Sequence, residues 1–208
     1  VRFCGNLAFA HRGPAMTSTS MSLLGRLHES DGDAWGRLVE LYTPLIRRWL
    51  GRVGVKMADN DDLVQDVLAV VVRRFPEFRH NQRTGAFRAW LRAIAVNCAR
   101  DFWKANRLRP SVPGGSDFGS YLAQLEDSSH PLAEQWDREH DVHVTRQLLE
   151  LLKPEFEGKT WEMFQRFVLD GKSAADVAKE LGTSPNAVFI AKSRVLARLR
   201  QEADGLVD

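Results

Sequence analysis

From Ser22 onward apolar residues recur at three- and four-residue steps, without sustained alternation of period two, and this pattern predicts an all-α fold. Leu23, Leu24 and Leu27, then Trp35, Leu38, Val39, Leu41 and Tyr42, form the stripe of an amphipathic helix pair. Pro44 is expected near a helix start or kink, and Leu45, Ile46, Trp49, Leu50 and Val53 carry the stripe to Gly54. The polar cluster Asp59, Asn60, Asp61, Asp62 offers an N-cap and complements a positive helix end. It opens a run through Leu63, Val64, Val67, Leu68, Val70, Val71, Val72 and Phe75 that stops before Pro76. So many valines would suit a buried strand, but the acidic start and the length favour helix. Residues 79–86 read as a polar loop, and next comes a helix from Phe87 to Asn106 with Phe87, Trp90, Leu91, Ile94, Ala95, Cys98 and Phe102 on one face.

Residues 109–120, RPSVPGGSDFGS, break all periodicity with two prolines and three glycines and mark a seam. Acidic, mixed sequence continues to about 141, and helices are expected near 142–153, 160–170, 173–181 and 185–203. In the second of these, Thr160, Trp161, Phe164, Phe167 and Val168 make an apolar face that should cover the two terminal helices. The stretch SAADVAKELGTSPNAVFIAKS, residues 173–193, has the grammar of a DNA-binding helix-turn-helix. Small Ala178 sits where two helices approach, Gly182 stands at the turn, and Val177, Leu181, Val188 and Ala191 supply the contact. Ser184 is a natural N-cap and Pro185 a natural first helical residue. The last helix carries Lys192, Arg194, Arg198 and Arg200 against one acid, Glu202, which suits an element laid in the major groove.

The net charge of +2 hides an uneven distribution. Residues 37–109 hold 15 Lys+Arg and 7 Asp+Glu, residues 110–157 hold 3 and 10, and residues 158–208 hold 8 and 7. A basic body, an acidic connector and a basic terminal helix point to two polyanion-facing units joined by a strap. Cys4 and Cys98 lie far apart with no CxxC or Cys/His cluster, so neither a disulfide framework nor a zinc site is indicated, and Cys98 reads as a packed thiol. No run of about 18 apolar residues suggests a membrane span. The start VRFCGNLAFAHRGPAM is too weak for a secretory signal, so residues 1–21 are expected to be disordered or misassigned, with Met16 or Met21 as initiator. The expected setting is cytoplasmic. No cofactor or metal is expected, and no catalytic set is visible: His28, His80, His130, His140 and His143 lie scattered in loops or on polar faces.

Three motifs in this order resemble the extracytoplasmic-function (ECF) sigma factors, the small two-domain branch of the sigma-70 family. DNDDLVQDVLAVVVRRFPEF, residues 59–78, is similar to the family's core-binding region. GAFRAWLRAIAVNCARDFWKANR, residues 85–107, resembles its promoter-melting region, and residues 148–202 resemble its upstream-element reader. The resemblance implies two small helical domains, region 2 over 22–108 and region 4 over 142–208 with the helix-turn-helix. A flexible acidic linker over 109–141 would join them. RNA polymerase core and promoter DNA are the implied partners, with room for an anti-sigma factor, and no enzyme activity is implied.

The resemblance also assigns sites. Asp61, Asp62, Leu63, Gln65 and Asp66 would dock on polymerase core, four polar groups around an exposed leucine. Melting requires unstacked bases to be held by aromatic and cationic side chains. Arg83, Thr84, Arg88, Asn97, Arg100, Trp103, Lys104 and Arg107 are the candidates, with residues 83–86 pocketing a flipped base. Phe87, Trp90, Leu91 and Ile94 are expected in the core. Trp103 is a stacking platform if exposed and a packing group if buried. For the minus-thirty-five element, Ser184, Asn186, Ala187 and Phe189 would reach base edges, and Lys192, Arg194 and Arg198 phosphates or guanine. Phe189 suits a thymine methyl or a partner surface. The competing reading is a stand-alone helix-turn-helix regulator that binds duplex operator as a dimer.

Overall fold

The computed structural model describes residues 22–79, 85–106 and 118–207. Among these residues the chain is helical and contains no strand. The expectations for residues 1–21, and those for Arg83, Thr84 and Arg107, lie outside the described residues.

Helix α1 (Leu23–His28) starts where the Ser22 hydroxyl accepts from the Gly25 amide at 3.3 Å. Helix α2 (Gly32–Arg52) starts where the Asp31 carboxylate accepts from the Asp33 amide at 2.9 Å, and it runs on through Pro44. Helix α3 (Met57–Arg74) begins earlier than the acidic cluster suggested, after Lys56, which makes no side-chain cap. Asp59 thus lies inside the first turn, where it still complements the helix dipole. A tight turn over Phe75–Glu77 leads on, and α4 spans Ala86–Asn106.

The valine-rich run is a helix because its apolar residues fall on one side: Val64, Val67 and Val71 are buried, while Asp62, Gln65 and Asp66 face solvent. These helices enclose a core of Leu38, Leu41, Tyr42, Leu91 and Ile94, closed at one end by the rings of Phe75, Phe78, Phe87 and Trp90. Val39, expected on the apolar stripe, is exposed.

The acidic connector departs from expectation. Where a loose strap was expected, α5 (Phe118–Glu126) and the first half of α6 (Pro131–Leu152) are helical. Leu122, Leu125, Ala133 and Trp136 are buried, and Leu122, Leu125 and Trp136 join the same core as α2 to α4, which supplies the driving force. The second half of α6 packs on α9 (Pro185–Ala203). Between them lie α7 (Gly158–Phe164), a single π-helical turn over Gln165–Leu169, and α8 (Ala174–Glu180).

Helices α8 and α9 pack on each other across a short turn. Val177, Ala178, Val188 and Ala191 bury together, and Gly182 turns the chain at φ +57°, a conformation that favours glycine. Met163 joins this cluster, whereas Val168 is exposed. Trp161 and Phe164 pack instead on Val195. The chain's end returns to the first core: Leu206 is buried there, and the buried Glu202 accepts from Arg26 of α1 and, at 3.1 Å, from Arg37 of α2.

Candidate polymerase and nucleic-acid interfaces

On α3, residues 62, 65, 66, 69 and 72 repeat at three- and four-residue steps and present one exposed stripe: Asp62, Gln65, Asp66, Ala69, Val72. The predicted centre of that face is corrected. Leu63 is only 3 % exposed, because it sits one turn before Val67 and two before Val71 on the inward side. The exposed apolar residue beside the acids is Met57, 92 % exposed and one turn before Asp61. Asp61 accepts from Arg47 of α2 at 2.7 Å in an exposed pair. Met57 and Asp61 line a shallow hollow with Arg47, Arg48 and Asn60. Sequence reading missed Met57 because it precedes the acidic cluster taken as the helix start.

On α4, Asn97 is exposed, while Arg88 and Arg100 are half-buried and engaged with acids. Arg88 donates to Asp141 at 2.8 Å and lies 3.5 Å from Asp137. Arg100 donates to Asn97 and to Glu126, each at 2.8 Å. Lys104 is exposed, 3.9 Å from Asp101. Trp103 resolves to packing: it is 6 % exposed, edge-on to Phe102 with centroids 5.1 Å apart, and it does not form a stacking platform. Its place one turn after the buried Ala99 explains this.

Phe87, Leu91 and Ile94 are buried as expected, and Trp90 is half-buried at the rim. Arg92, assigned no role from sequence, is almost fully buried and donates to Asp137 and to the Ala133 carbonyl, the latter at 3.3 Å. Burial lowers its guanidinium pKa and Asp137 opposes that shift. Gly85 precedes α4 at φ +73°, and a Cβ there would come within 2.7 Å of the Arg88 guanidinium. A cleft of about 600 Å³ opens here, lined by Arg74, Arg79, Arg88, Arg92 and Trp90, and by Asp137 beside Arg88 and Arg92. Cationic groups beside a partly exposed indole are the equipment for holding an unstacked base.

On α9 the early residues divide by role. The Ser184 hydroxyl accepts from the Ala187 amide at 3.2 Å, so it caps the helix. Ala187 is half-buried against the α8–α9 cluster. Asn186, Phe189, Ile190 and Arg194 form the exposed face, and sequence reading missed Ile190 in that set. Phe189 is 51 % exposed and meets Phe167 edge-on at 5.4 Å, while the Lys192 ammonium stands 5.4 Å over the same Phe167 ring. Arg198 is engaged within the chain: it donates to Glu155 at 2.8 Å and to Glu202 at 2.9 Å.

The histidines are also corrected. His140 and His143 lie buried between α2 and α6, away from solvent. His140 meets the Tyr42 hydroxyl at 3.1 Å and Asp141 at 2.9 Å. His143 Nε2 donates to the Leu41 carbonyl at 2.8 Å, and its Nδ1 faces Arg48 at 3.2 Å. Among the described residues no three His, Cys, Asp or Glu side chains gather as a metal set, and no helix is long and apolar enough to cross a membrane. Cys98 is half-buried, and burial pushes its thiol pKa up.

Residues 38–109, which contain α3, α4 and the arginines and tryptophan of the cleft, match the sigma-70 region 2 family. Across its length the chain is 30 % identical over 195 residues to the ECF RNA polymerase sigma factor BldN of Streptomyces coelicolor, covering 91 % of this chain and 69 % of that one. It is 25 % identical over 182 residues to the RNA polymerase sigma factor NccH of Alcaligenes xylosoxydans xylosoxydans, covering 88 % and 93 %. To the probable RNA polymerase sigma factor RfaY of Xanthomonas campestris pv. campestris it is 27 % identical over 169 residues, covering 81 % of this chain and 40 % of the relative. An acidic-faced helix beside one that carries arginines, a basic helix α9, and likeness to sigma factors along nine-tenths of the sequence converge: the chain belongs to the extracytoplasmic-function sigma factors of the sigma-70 family, the proteins with which RNA polymerase initiates transcription.

Proposed function

We propose a division of the sigma-factor work by residue. Residues 22–108 act as the region 2 unit, and Asp62, Gln65 and Asp66, with Met57 in the place expected of Leu63, dock on polymerase core. Arg88, Asn97, Arg100 and Lys104 of α4 hold the minus-ten strand, with Trp90 and the arginines of the neighbouring cleft receiving an unstacked base. Residues 142–208 act as the region 4 unit, in which Asn186, Phe189 and Arg194 meet the minus-thirty-five element. Lys192 stands behind them.

The observation that carries this is the exposed acidic stripe of α3, on a helix packed against α4 with its Arg88, Asn97, Arg100 and Lys104. The chain supplies specificity and melting in the cytoplasm, where polymerase and chromosome meet, and bond formation belongs to the polymerase. An anti-sigma factor would act by covering one of these surfaces. The operator-binding dimer weighed from the sequence is set aside, because residues 38–109 match sigma-70 region 2 in place of a dimerising or sensing domain. Replacing Asp62 and Asp66 together by Lys tests the first assignment. Co-purification with core should be lost while the far-ultraviolet circular dichroism stays helical; undiminished co-purification removes α3 as the docking face.

A further inference from the structure

The guanidiniums of α4 are already occupied. Arg88 is bonded to Asp141, Arg92 to Asp137 and Arg100 to Glu126, so the basic groups at positions 88, 92 and 100 each hold a carboxylate. Those positions share one side of the helix and span about 18 Å at 1.5 Å rise per residue. All three acids come from α5 and the first half of α6, within the stretch that holds the chain's excess negative charge. A row of carboxylates on a row of arginines has the charge pattern of a phosphate strand in the same place.

Apolar contact keeps the segment there. Leu122, Leu125, Ala133 and Trp136 are buried beneath it, and the Arg92 guanidinium lies 5.7 Å over the Trp136 ring. At the other end the chain is latched by Glu202 on Arg26 and Arg37 and by the buried Leu206. The DNA-facing side of α9 is not covered: Asn186, Phe189, Ile190 and Arg194 stay exposed. Closure therefore masks one nucleic-acid face and spares the other.

We infer that residues 118–141 are a built-in competitor for promoter DNA, whose carboxylates occupy the α4 arginines in the closed chain and must lift off before the minus-ten strand can bind. This rests on the reading of α4 as the minus-ten face. Exchanging carboxylates for phosphates is close to even, pair for pair, so the apolar contacts decide the balance. Lifting the segment uncovers Trp136, Leu122 and Leu125, and is favourable where another surface covers them. A free chain is thereby kept off single-stranded DNA, and opening is coupled to a larger partner.

The test uses the full chain, free of polymerase, with fluorescently labelled single-stranded DNA of mixed sequence at low salt. The double variant Asp137→Asn, Asp141→Asn should bind at least about tenfold tighter than the parent, as expected when a mostly closed population is opened. Glu126→Gln, at an exposed pair that leaves the core intact, should gain about twofold. If circular dichroism shows the double variant unfolded, the Glu126→Gln comparison decides alone. Parental affinity in every folded variant overturns the inference.

A separate arm isolates the assumption beneath it. Arg88→Ala with Arg100→Ala in reconstituted holoenzyme should block permanganate reactivity of promoter thymines. If those thymines still open, the α4 assignment itself fails. If they do not open, yet the acid-to-amide variants gain nothing, the competitor alone fails.

Discussion

Arg194 and Arg198 stand one helical turn apart on α9 and do different work. Arg194 is exposed and makes no ion pair among the described residues, while Arg198 is held between Glu155 and Glu202. Arg194→Ala should weaken holoenzyme binding to the minus-thirty-five element and flatten its salt dependence by about one unit per lost phosphate contact. Arg198→Ala should leave that slope alone and instead lower stability by about 1 kcal/mol, its pairs being partly solvent-screened. Salt titrations and urea midpoints on both variants check the division, and equal slopes for the two would refute it. Single-residue exposure was only partly legible in the sequence. Leu63 could have been placed inside from its spacing to Val67 and Val71, and Trp103 from its spacing to Ala99; the surrounding acids drew Leu63 outward, and the neighbouring cations left Trp103 open. The i,i+4 spacing of Arg198 to Glu202 was open to view, but its second partner, Glu155, lies 43 positions earlier and no local pattern shows it.

At the level of elements, α8 and α9 were readable because propensity, capping and apolar period agree along each, and α4 because propensity and period agree. The first half of α6 was not, since its Glu134, Asp137, Glu139 and Asp141 read as a solvated strap, while the arginines that neutralise Asp137 and Asp141 lie some 45 to 53 residues away on α4. The stripe Ala133, Trp136, His140, Val144, Leu148, Leu152 is helical in spacing, with His140 breaking its apolar character.

His143 gives the packing of this helix a pH dependence. Burial holds the His143 imidazole below its ordinary range; its bond to the Leu41 carbonyl opposes that shift, and Arg48, His140 and Arg146 add to it. The unfolded chain takes up that proton at about pH 6.5 and the folded chain only at lower pH, so unfolding binds protons. The stability owed to neutral His143 is complete above about pH 6.5 and is lost as pH falls through the lower folded value. Urea midpoints of the parent should drop on going from pH 7.5 to pH 5.5 by more than those of His143→Gln; parallel drops would mean that His143 does not titrate with folding.

On the scale of the whole molecule, the first and last of the described helices hold each other. Arg26 and Glu202 are 176 residues apart and both buried, and Leu206 completes a core begun by Leu23. Such a pair selects one docking arrangement more than it adds net stability, and removing one partner strands the other. Glu202→Ala should therefore cost about 3 kcal/mol in denaturant unfolding, with Arg26 left buried against only the distant Asp31. A loss within error of zero would mean that the two halves are not docked this way in solution.

The docked form and the working form need not coincide, because a sigma factor spans two promoter elements while riding on polymerase. The central claim is that this chain gives the polymerase its promoter choice, and reconstituted transcription addresses it most directly. Purified core should yield discrete run-off products from genomic DNA only when the chain is added, and the Asp62→Lys, Asp66→Lys variant should abolish them. An unchanged transcript pattern, with the free chain binding duplex DNA tightly by itself, would contradict the account.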